Sequence, residues 1–288
     1  MKTLSMGVGG AVAILALGTG LAPIAAQQQP VFSAKVDTVR VDVDVRRDDK
    51  PVAGLGAADF EVLDNGVKQN VELMATAASP VNVVLALDTS ASLSAKDRTH
   101  LVAAGTRVVD ALKAPESAAF LTFSERIAIH SLFTSDMAAL KTLIASPTPS
   151  GDTALYDAAH AAMLVGTAAP GRPIVILFSD GDDTASFLNE DAVVETAQRT
   201  GAVVCVVMIG GQGKLLQQLT QTTGGVFVKE TSLERLGERF TEILDSFRRR
   251  YLISFTPTGV EKPGWHKLQV KVKGGGEVRA RVGYWAGS

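Results

Sequence analysis

The chain has 288 residues, of which 46% are hydrophobic and 20% charged, and its formal net charge is −2. This length supplies enough apolar material for one large core and a smaller second one. The nearly balanced charge, without a basic stripe interleaved with aromatic residues, argues against nucleic acid as a partner. The one cysteine, Cys205, lies in the apolar run 203–207, which predicts a buried thiol.

Residues 1–26 have the features of a secretory signal peptide. Met1-Lys2 gives a positive start, an apolar and glycine-rich stretch follows, and Ala25-Ala26 precedes three glutamines. We predict cleavage after about residue 26 and export, to the periplasm or out of the cell. A retained membrane anchor is the alternative, and only then would the protein associate with a membrane. The glycines and Pro23 make the stretch a poor permanent spanning helix.

Both flanks of the mature chain, residues 27–79 and 251–288, have the pattern of β structure. Valines alternate with charged residues from Val39 to Val45, as in a strand with one buried face. Asn65-Gly66 predicts a tight hairpin, because both residues tolerate positive φ. Further strands are predicted at 60–63, 67–74, 251–255, 265–272 and 278–284, with the glycines 274–276 as a hairpin loop. We expect the two flanks to pair in a small β-sandwich-like annex.

Residues 80–250 have a different pattern, in which apolar strands alternate with amphipathic helices. The run 81–87 is apolar throughout, which is typical of a strand buried on both faces. The other predicted strands are 118–123, 126–132, 174–178, 203–209 and 226–229, and the predicted helices are 95–113, 136–144, 154–165, 189–200, 215–222 and 233–249. This order predicts an α/β fold, a doubly wound and mostly parallel sheet with helices on both faces.

Three polar segments follow or face the carboxyl ends of the predicted strands. They are Asp88-Thr89-Ser90-Ala91-Ser92, Gly151-Asp152-Thr153 and Ser179-Asp180-Gly181. In open α/β sheets, ligands bind outside these strand ends, where the strand order reverses. Because Asp88, Ser90 and Ser92 alternate along an extended loop, their side chains can turn toward one point.

The candidate ligands are two carboxylates and three hydroxyls, without a soft donor. Such an oxygen set favours a hard divalent cation, Mg²⁺ first and Mn²⁺ or Ca²⁺ as alternatives, over zinc or copper. Neutral hydroxyls leave the cation electron-poor, so an Asp or Glu carboxylate of a protein partner would complete its coordination strongly.

This pattern resembles the metal-ion-dependent adhesion site of von Willebrand factor type A domains, and the resemblance covers about residues 80–250. It implies that Ser90, Ser92 and Thr153 contact the metal directly. It also implies that Asp88 and Asp180 act wholly or partly through coordinated water. The function implied is binding of a protein partner, without catalysis.

The flanks are similar to those of an exported bacterial subgroup described as acidobacterial von Willebrand factor A-related. The similarity rests on Asp59-Phe60-Glu61-Val62, on Asp64-Asn65-Gly66 and on the segment from Tyr251 to Tyr284. It implies export and no particular ligand.

Other hypotheses stay open at this point. Asp88 and Ser90 could instead cap the following helix or turn. The protein could be a metal-assisted hydrolase, although no histidine or lysine is recognisable beside the site, or an exported domain in which a metal only stabilises the fold. We expect Asp182 and Asp183 to be solvated loop acids.

Overall fold

The structure, a computed structural model, describes residues 38–74, 79–260 and 263–287. The predicted signal peptide, residues 1–26, lies outside these residues. None of the helices in the described ranges combines the length and the apolar character that a membrane crossing requires.

The strands and helices follow the predicted order closely. The strands are β1 (Val39–Arg47), β2 (Lys50–Pro51), β3 (Phe60–Asp64), β4 (Val67–Gln69), β5 (Glu72–Met74), β6 (Val81–Asp88), β7 (Ser117–Phe123), β8 (Ile127–Thr134), β9 (Arg172–Ser179), β10 (Val203–Ile209), β11 (Phe227–Glu230), β12 (Tyr251–Phe255), β13 (Gly264–Val272), β14 (Glu277–Arg279) and β15 (Gly283–Ala286). The α-helices are α1 (Ala95–Ala111), α2 (Met137–Ala145), α3 (Leu155–Thr167), α4 (Glu190–Arg199), α5 (Lys214–Thr223) and α6 (Leu236–Arg248).

The central sheet has the strand order β11-β10-β9-β6-β7-β8. Its strands are parallel except β8, which pairs with β7 antiparallel. Every residue of β6 is buried, because alternate side chains enter two cores. One core packs against α1, α2 and α6, and the other packs against α3, α4 and α5. The predicted doubly wound α/β fold is therefore confirmed.

The flanks form the predicted annex from two antiparallel sheets. One sheet has the order β14-β1-β12-β5 with β2 paired to β1, and the other has the order β15-β13-β3-β4. Their inner faces share a core that includes Val41 and Val43 of β1, Phe60 of β3 and Ile253 of β12. Because β1 pairs with β12, the two flanks of the chain form the annex together.

Two predicted strands are wrong in the same way: each is divided between the two annex sheets. The segment 67–74 breaks into β4 and β5, and the segment 278–284 breaks into β14 and β15. The glycines 274–276 do not close the predicted hairpin, because β14 pairs with β1 while β13 pairs with β3 and β15. Side-chain alternation reports which face of a strand is buried, not which sheet the strand joins. The tight turn is confirmed, with φ of 47° at Asn65 and 87° at Gly66.

The annex packs on the amino edge of the central sheet. Arg172, the first residue of β9, forms a buried ion pair with Asp42 of β1 and donates to the carbonyl of Phe247 in α6 at 3.2 Å. The carboxyl ends of β6 and β9, which carry Asp88 and Ser179, lie at the opposite edge of the sheet.

Candidate metal site

The first loop gathers its three predicted ligands. Asp88 is completely buried at the end of β6, and its Oδ1 accepts a hydrogen bond from the amide of Ser90 at 2.9 Å. The hydroxyl oxygens of Ser90 and Ser92 lie 2.9 Å apart. The loop therefore presents one carboxylate and two hydroxyls as a compact cluster.

The second loop lies directly beside the first. The amide of Ala91 donates to the carbonyl of Gly151 at 2.9 Å, and the amide of Ser150 donates to the carbonyl of Thr89 at 2.9 Å. These two backbone bonds hold the segment that leads to Thr153 against the loop of Asp88, Ser90 and Ser92.

Thr153 connects the second loop to the third. Its amide donates to the hydroxyl of Thr184 at 3.0 Å, and its carbonyl accepts from the amides of Thr184 and Ala185. Thr153 itself is buried. The third loop, which begins with Asp180, is thus tied to the residue predicted to supply the third hydroxyl.

Asp180 carries an oxygen whose hydrogen-bonding capacity is not met. Its Oδ1 is buried and has no hydrogen-bond partner among the described residues. A buried carboxylate oxygen without a donor is costly. Asp180 also lies close enough to Asp88 for the two negative charges to interact.

The surroundings of the Asp88 carboxyl disfavour its negative charge. Burial raises the pKa of the Asp88 carboxyl and the charge of Asp180 raises it further, while hydrogen bonds from Ser90 and Ser179 lower it. The pKa remains above its usual value. A cation between these carboxylates would offset both the burial and the repulsion.

The donor set fits a hard cation that uses hydroxyl ligands. In the described ranges, histidine, cysteine and acidic side chains nowhere form a group of three or more that could hold a metal. A cation at this edge would therefore need serine and threonine oxygens as well as those of the two aspartates, and such oxygen donors suit Mg²⁺ or Mn²⁺.

The helix-capping alternative does not hold for α1. Ser94 is its N-cap, accepting from the amide of Asp97 at 3.2 Å, while Asp97 accepts from the amide of Ser94 at 2.9 Å. Asp88 does stabilise its own turn through the amide of Ser90. That bond uses the amide of Ser90, while the hydroxyls of Ser90 and Ser92 contact each other.

Ser179 belongs to the third polar segment, but no role was predicted for it. Its hydroxyl lies 2.8 Å from Oδ2 of Asp88 and 3.0 Å from the carbonyl of Gly181. Ser179 is completely buried and orients Asp88 from the neighbouring strand. Its position at the end of β9, directly before Asp180, was the available signal.

The expectation that Asp182 and Asp183 are solvated loop acids is wrong for Asp183, which is half-buried, whereas Asp182 is exposed as expected. Oδ1 of Asp183 accepts from the amides of Leu155 and Tyr156 at 2.8 and 3.2 Å, at the start of α3. Asp182 accepts from the amide of Gln212 at 2.8 Å. Both carboxylates therefore fix loops at the rim of the site, and they contact backbone amides that sequence spacing does not reveal.

A groove of about 370 Å³ is lined by Asp180, Lys96 and His100 among others. Neither Lys96 nor His100 was predicted to lie beside the site. Lys96 lies 3.7 Å from a carboxylate oxygen of Glu234, so this lysine already faces an acidic partner.

The fold and the position of this polar cluster define the class of the protein, a doubly wound α/β domain with a candidate ligand site where the strand order reverses. The sequence matches the von Willebrand factor type A domain family over residues 82–242. This match covers more than half of the chain and includes all five predicted ligands, and the chain belongs to this family. No curated protein matches the sequence.

Solved structures resemble the chain at low sequence identity. The von Willebrand factor type A protein from Catenulispora acidiphila is 14% identical with a TM-score of 0.51, covering 85% of this chain and 73% of that one. Proximal thread matrix protein 1 from the mussel byssus, with a zinc-occupied MIDAS motif, is 19% identical with a TM-score of 0.52, covering 63% of this chain and 49% of that one. The von Willebrand domain of the type V pili tip protein Mfa5 from Porphyromonas gingivalis is 14% identical with a TM-score of 0.47, covering 58% of this chain and 95% of that one. The first two of these likenesses support the fold.

Proposed function

We propose that the protein is an exported binding protein that holds a divalent cation at the carboxyl edge of its central sheet. The cation engages a protein partner through an Asp or Glu carboxylate. The observation that carries this proposal is the buried Oδ1 of Asp180, which has no partner among the described residues and lies near a second buried carboxylate, Asp88.

The proposed ligands have distinct roles. Ser90, Ser92 and Thr153 contact the cation through their hydroxyls, and Asp88 and Asp180 supply negative charge directly or through water. Ser179 holds Asp88 in place by a hydrogen bond. When bound, the cation would supply a Lewis-acidic position for an incoming carboxylate, because three of the five proposed ligands are neutral hydroxyls. Mg²⁺ is our first choice, and Mn²⁺ and Ca²⁺ fit the same donors.

Two neighbours support the proposal by what their names state. The mussel protein has a zinc-occupied MIDAS motif, so zinc belongs in the metal test although the oxygen donors favour harder cations. Mfa5 is a pili tip protein. The proposal of export rests on the signal-peptide features of residues 1–26. We also propose that the von Willebrand factor type A domain spans residues 80–250 and that the flanks on both sides form the annex.

The first test measures metal binding by the purified protein. After treatment with EDTA, we expect Mg²⁺ or Mn²⁺ to raise the melting temperature, since a ligand that binds only the folded state stabilises it. The double variant Ser90→Ala with Thr153→Ala should lose this rise. A matched control removes two exposed hydroxyls of similar size, Thr142→Ala with Ser146→Ala, and should keep it. An equal rise in both double variants would refute the metal site.

The second test measures carboxylate recognition. A random peptide display library is bound to the protein in Mg²⁺ and eluted with EDTA. We expect every enriched family of peptides to contain Asp or Glu, and replacement of that residue by Asn or Gln in a synthetic peptide should abolish binding. Metal binding without carboxylate-dependent peptides would leave a purely stabilising metal. Metal-dependent cleavage of the peptides would indicate a hydrolase.

A further inference from the structure

Phe187 is the most exposed large apolar side chain in the described part of the chain. Its side chain is 96% exposed, whereas the next most exposed, Leu132, is at 62%. Phe187 lies in the loop that begins with Asp180, seven residues further on. An isolated exposed apolar residue needs no explanation in general, but an almost fully exposed phenylalanine in a loop of the candidate site does.

The exposure of Phe187 does not result from a loose loop. The amides of Phe187 and Leu188 each donate to the Asp157 carboxylate at 3.0 Å. The side chain of Leu188 packs against the core between the sheet and α3. The backbone on which Phe187 stands is therefore fixed, and its ring is directed into solvent by a structured segment.

The residue before Phe187 strengthens this support. The hydroxyl of Ser186 accepts from the amides of Tyr156 and Asp157 at 3.0 and 3.1 Å and donates to Oδ1 of Asp183. The loop thus wraps the first turn of α3 and replaces missing hydrogen bonds at the start of that helix.

This first turn of α3 also connects Phe187 to the candidate ligands. Thr153 lies two residues before the start of α3, and Asp157 lies in its first turn. Asp180 lies at the start of the same loop as Phe187. The loop therefore has a proposed metal ligand, Asp180, at one end and an exposed aromatic ring near its other end, where its backbone is bonded to the first turn of α3.

We propose that Phe187 is an apolar anchor for the partner that the cation engages. The partner is an extended protein segment that places an Asp or Glu carboxylate on the cation and a large aliphatic or aromatic side chain against Phe187. Aromatic anchors held in a fixed conformation are typical energetic centres of protein interfaces, since little conformational entropy is lost on binding. This inference rests on the proposed function and adds a second contact to it.

The test repeats the peptide selection on three proteins: the wild type, Phe187→Ser and Leu132→Ser. Leu132 is an exposed apolar residue in strand β8 and controls for a general loss of surface hydrophobicity. On the wild type and on Leu132→Ser, we expect EDTA-eluted peptides with an acidic residue and a large apolar residue at a constant spacing. On Phe187→Ser, the acidic residue should remain and the apolar residue should fall to its frequency in the library.

Affinities then quantify the anchor. For a synthetic peptide selected on the wild type, Phe187→Ser should raise Kd about 30-fold, the size expected for loss of an interface hot spot. The affinity for Mg²⁺ alone and the melting temperature should stay unchanged, because the side chain is exposed.

The outcomes separate the two proposals. An apolar position equally enriched on Phe187→Ser, or an unchanged Kd, overturns the anchor and leaves the metal-bridged function standing. Peptides that depend on Phe187 but are not eluted by EDTA overturn the metal bridge. Absence of EDTA-eluted peptides on the wild type overturns both.

Discussion

Carboxylates in two regions of this protein have opposite surroundings. In the annex, Asp64 is completely buried, and both of its oxygens have partners. Oδ1 lies 2.9 Å from Nδ1 of His266, and Oδ2 accepts from the hydroxyl of Tyr284 at 2.6 Å. At the carboxyl edge of the central sheet, Asp88 and Asp180 lie close to each other, and Oδ1 of Asp180 has no partner among the described residues.

The difference shows what each region requires to be complete. In the annex, three strands of one sheet each contribute a side chain to the network, Asp64 from β3, His266 from β13 and Tyr284 from β15. A fully satisfied polar network fixes a unique packing. At the carboxyl edge, Oδ1 of Asp180 is buried without a hydrogen-bond partner among the described residues, and we infer that a metal ion supplies the missing charge.

The largest expected effect is on the hydrogen-bonded network of Asp64, His266 and Tyr284. Asp64→Ala removes the buried carboxylate that both His266 and Tyr284 contact, so the free energy of unfolding should fall by about 3 kcal/mol. Tyr284→Phe removes only one donor and should cost about 1 kcal/mol. Urea unfolding of the two variants and the wild type measures both values. Equal stability of Asp64→Ala and the wild type would contradict a stabilising role for the network.

An intermediate effect is expected at Ser179. Ser179→Ala removes a hydrogen bond to Oδ2 of Asp88 while leaving all five proposed ligands in place. Loss of a residue that orients a metal ligand weakens metal binding about 10- to 100-fold, and calorimetric titration with Mg²⁺ measures this change. Ser131→Ala, in strand β8, is the control and should bind Mg²⁺ as the wild type does. Unchanged affinity in Ser179→Ala would show that Asp88 needs no such support.

Much of the central fold could be predicted from the sequence because its signals are local. Apolar runs mark β6, β9 and β10, and the short motif from Asp88 to Ser92 stands next to one of them. The annex was predicted less well, because the chain crosses from one annex sheet to the other within a few residues. It does so between β4 and β5 and again between β14 and β15. Alternation of side chains carries no information on such a crossing.

The contacts that escaped prediction join distant parts of the sequence. Asp64 and His266 are 202 residues apart, and each is an ordinary polar residue in its own strand. Asp183 caps α3 from a loop 27 residues away from Tyr156. The exposure of Phe187 likewise depends on Asp157, so only the folded chain reveals it. Such pairs depend on which loops the topology brings together.

The smallest expected effect concerns replacement of Asp by Asn. This substitution should change the free energy of unfolding in opposite directions in the two regions. Asp180→Asn removes a negative charge that raises the pKa of Asp88. In EDTA, this variant should therefore unfold with a free energy about 1 kcal/mol higher than that of the wild type. Asp64→Asn should instead destabilise the protein, because an amide nitrogen replaces one of two acceptor oxygens that are both in use.

Addition of Mg²⁺ completes this comparison. We expect it to stabilise the wild type and Asp64→Asn, both of which keep the proposed ligands, and to leave Asp180→Asn nearly unchanged. Urea unfolding of the three proteins with and without the metal tests the six values against each other. If Asp180→Asn is less stable than the wild type in EDTA, the carboxylate of Asp180 already has a stabilising role without a cation. The carboxyl edge would then be a closed polar network like the one around Asp64.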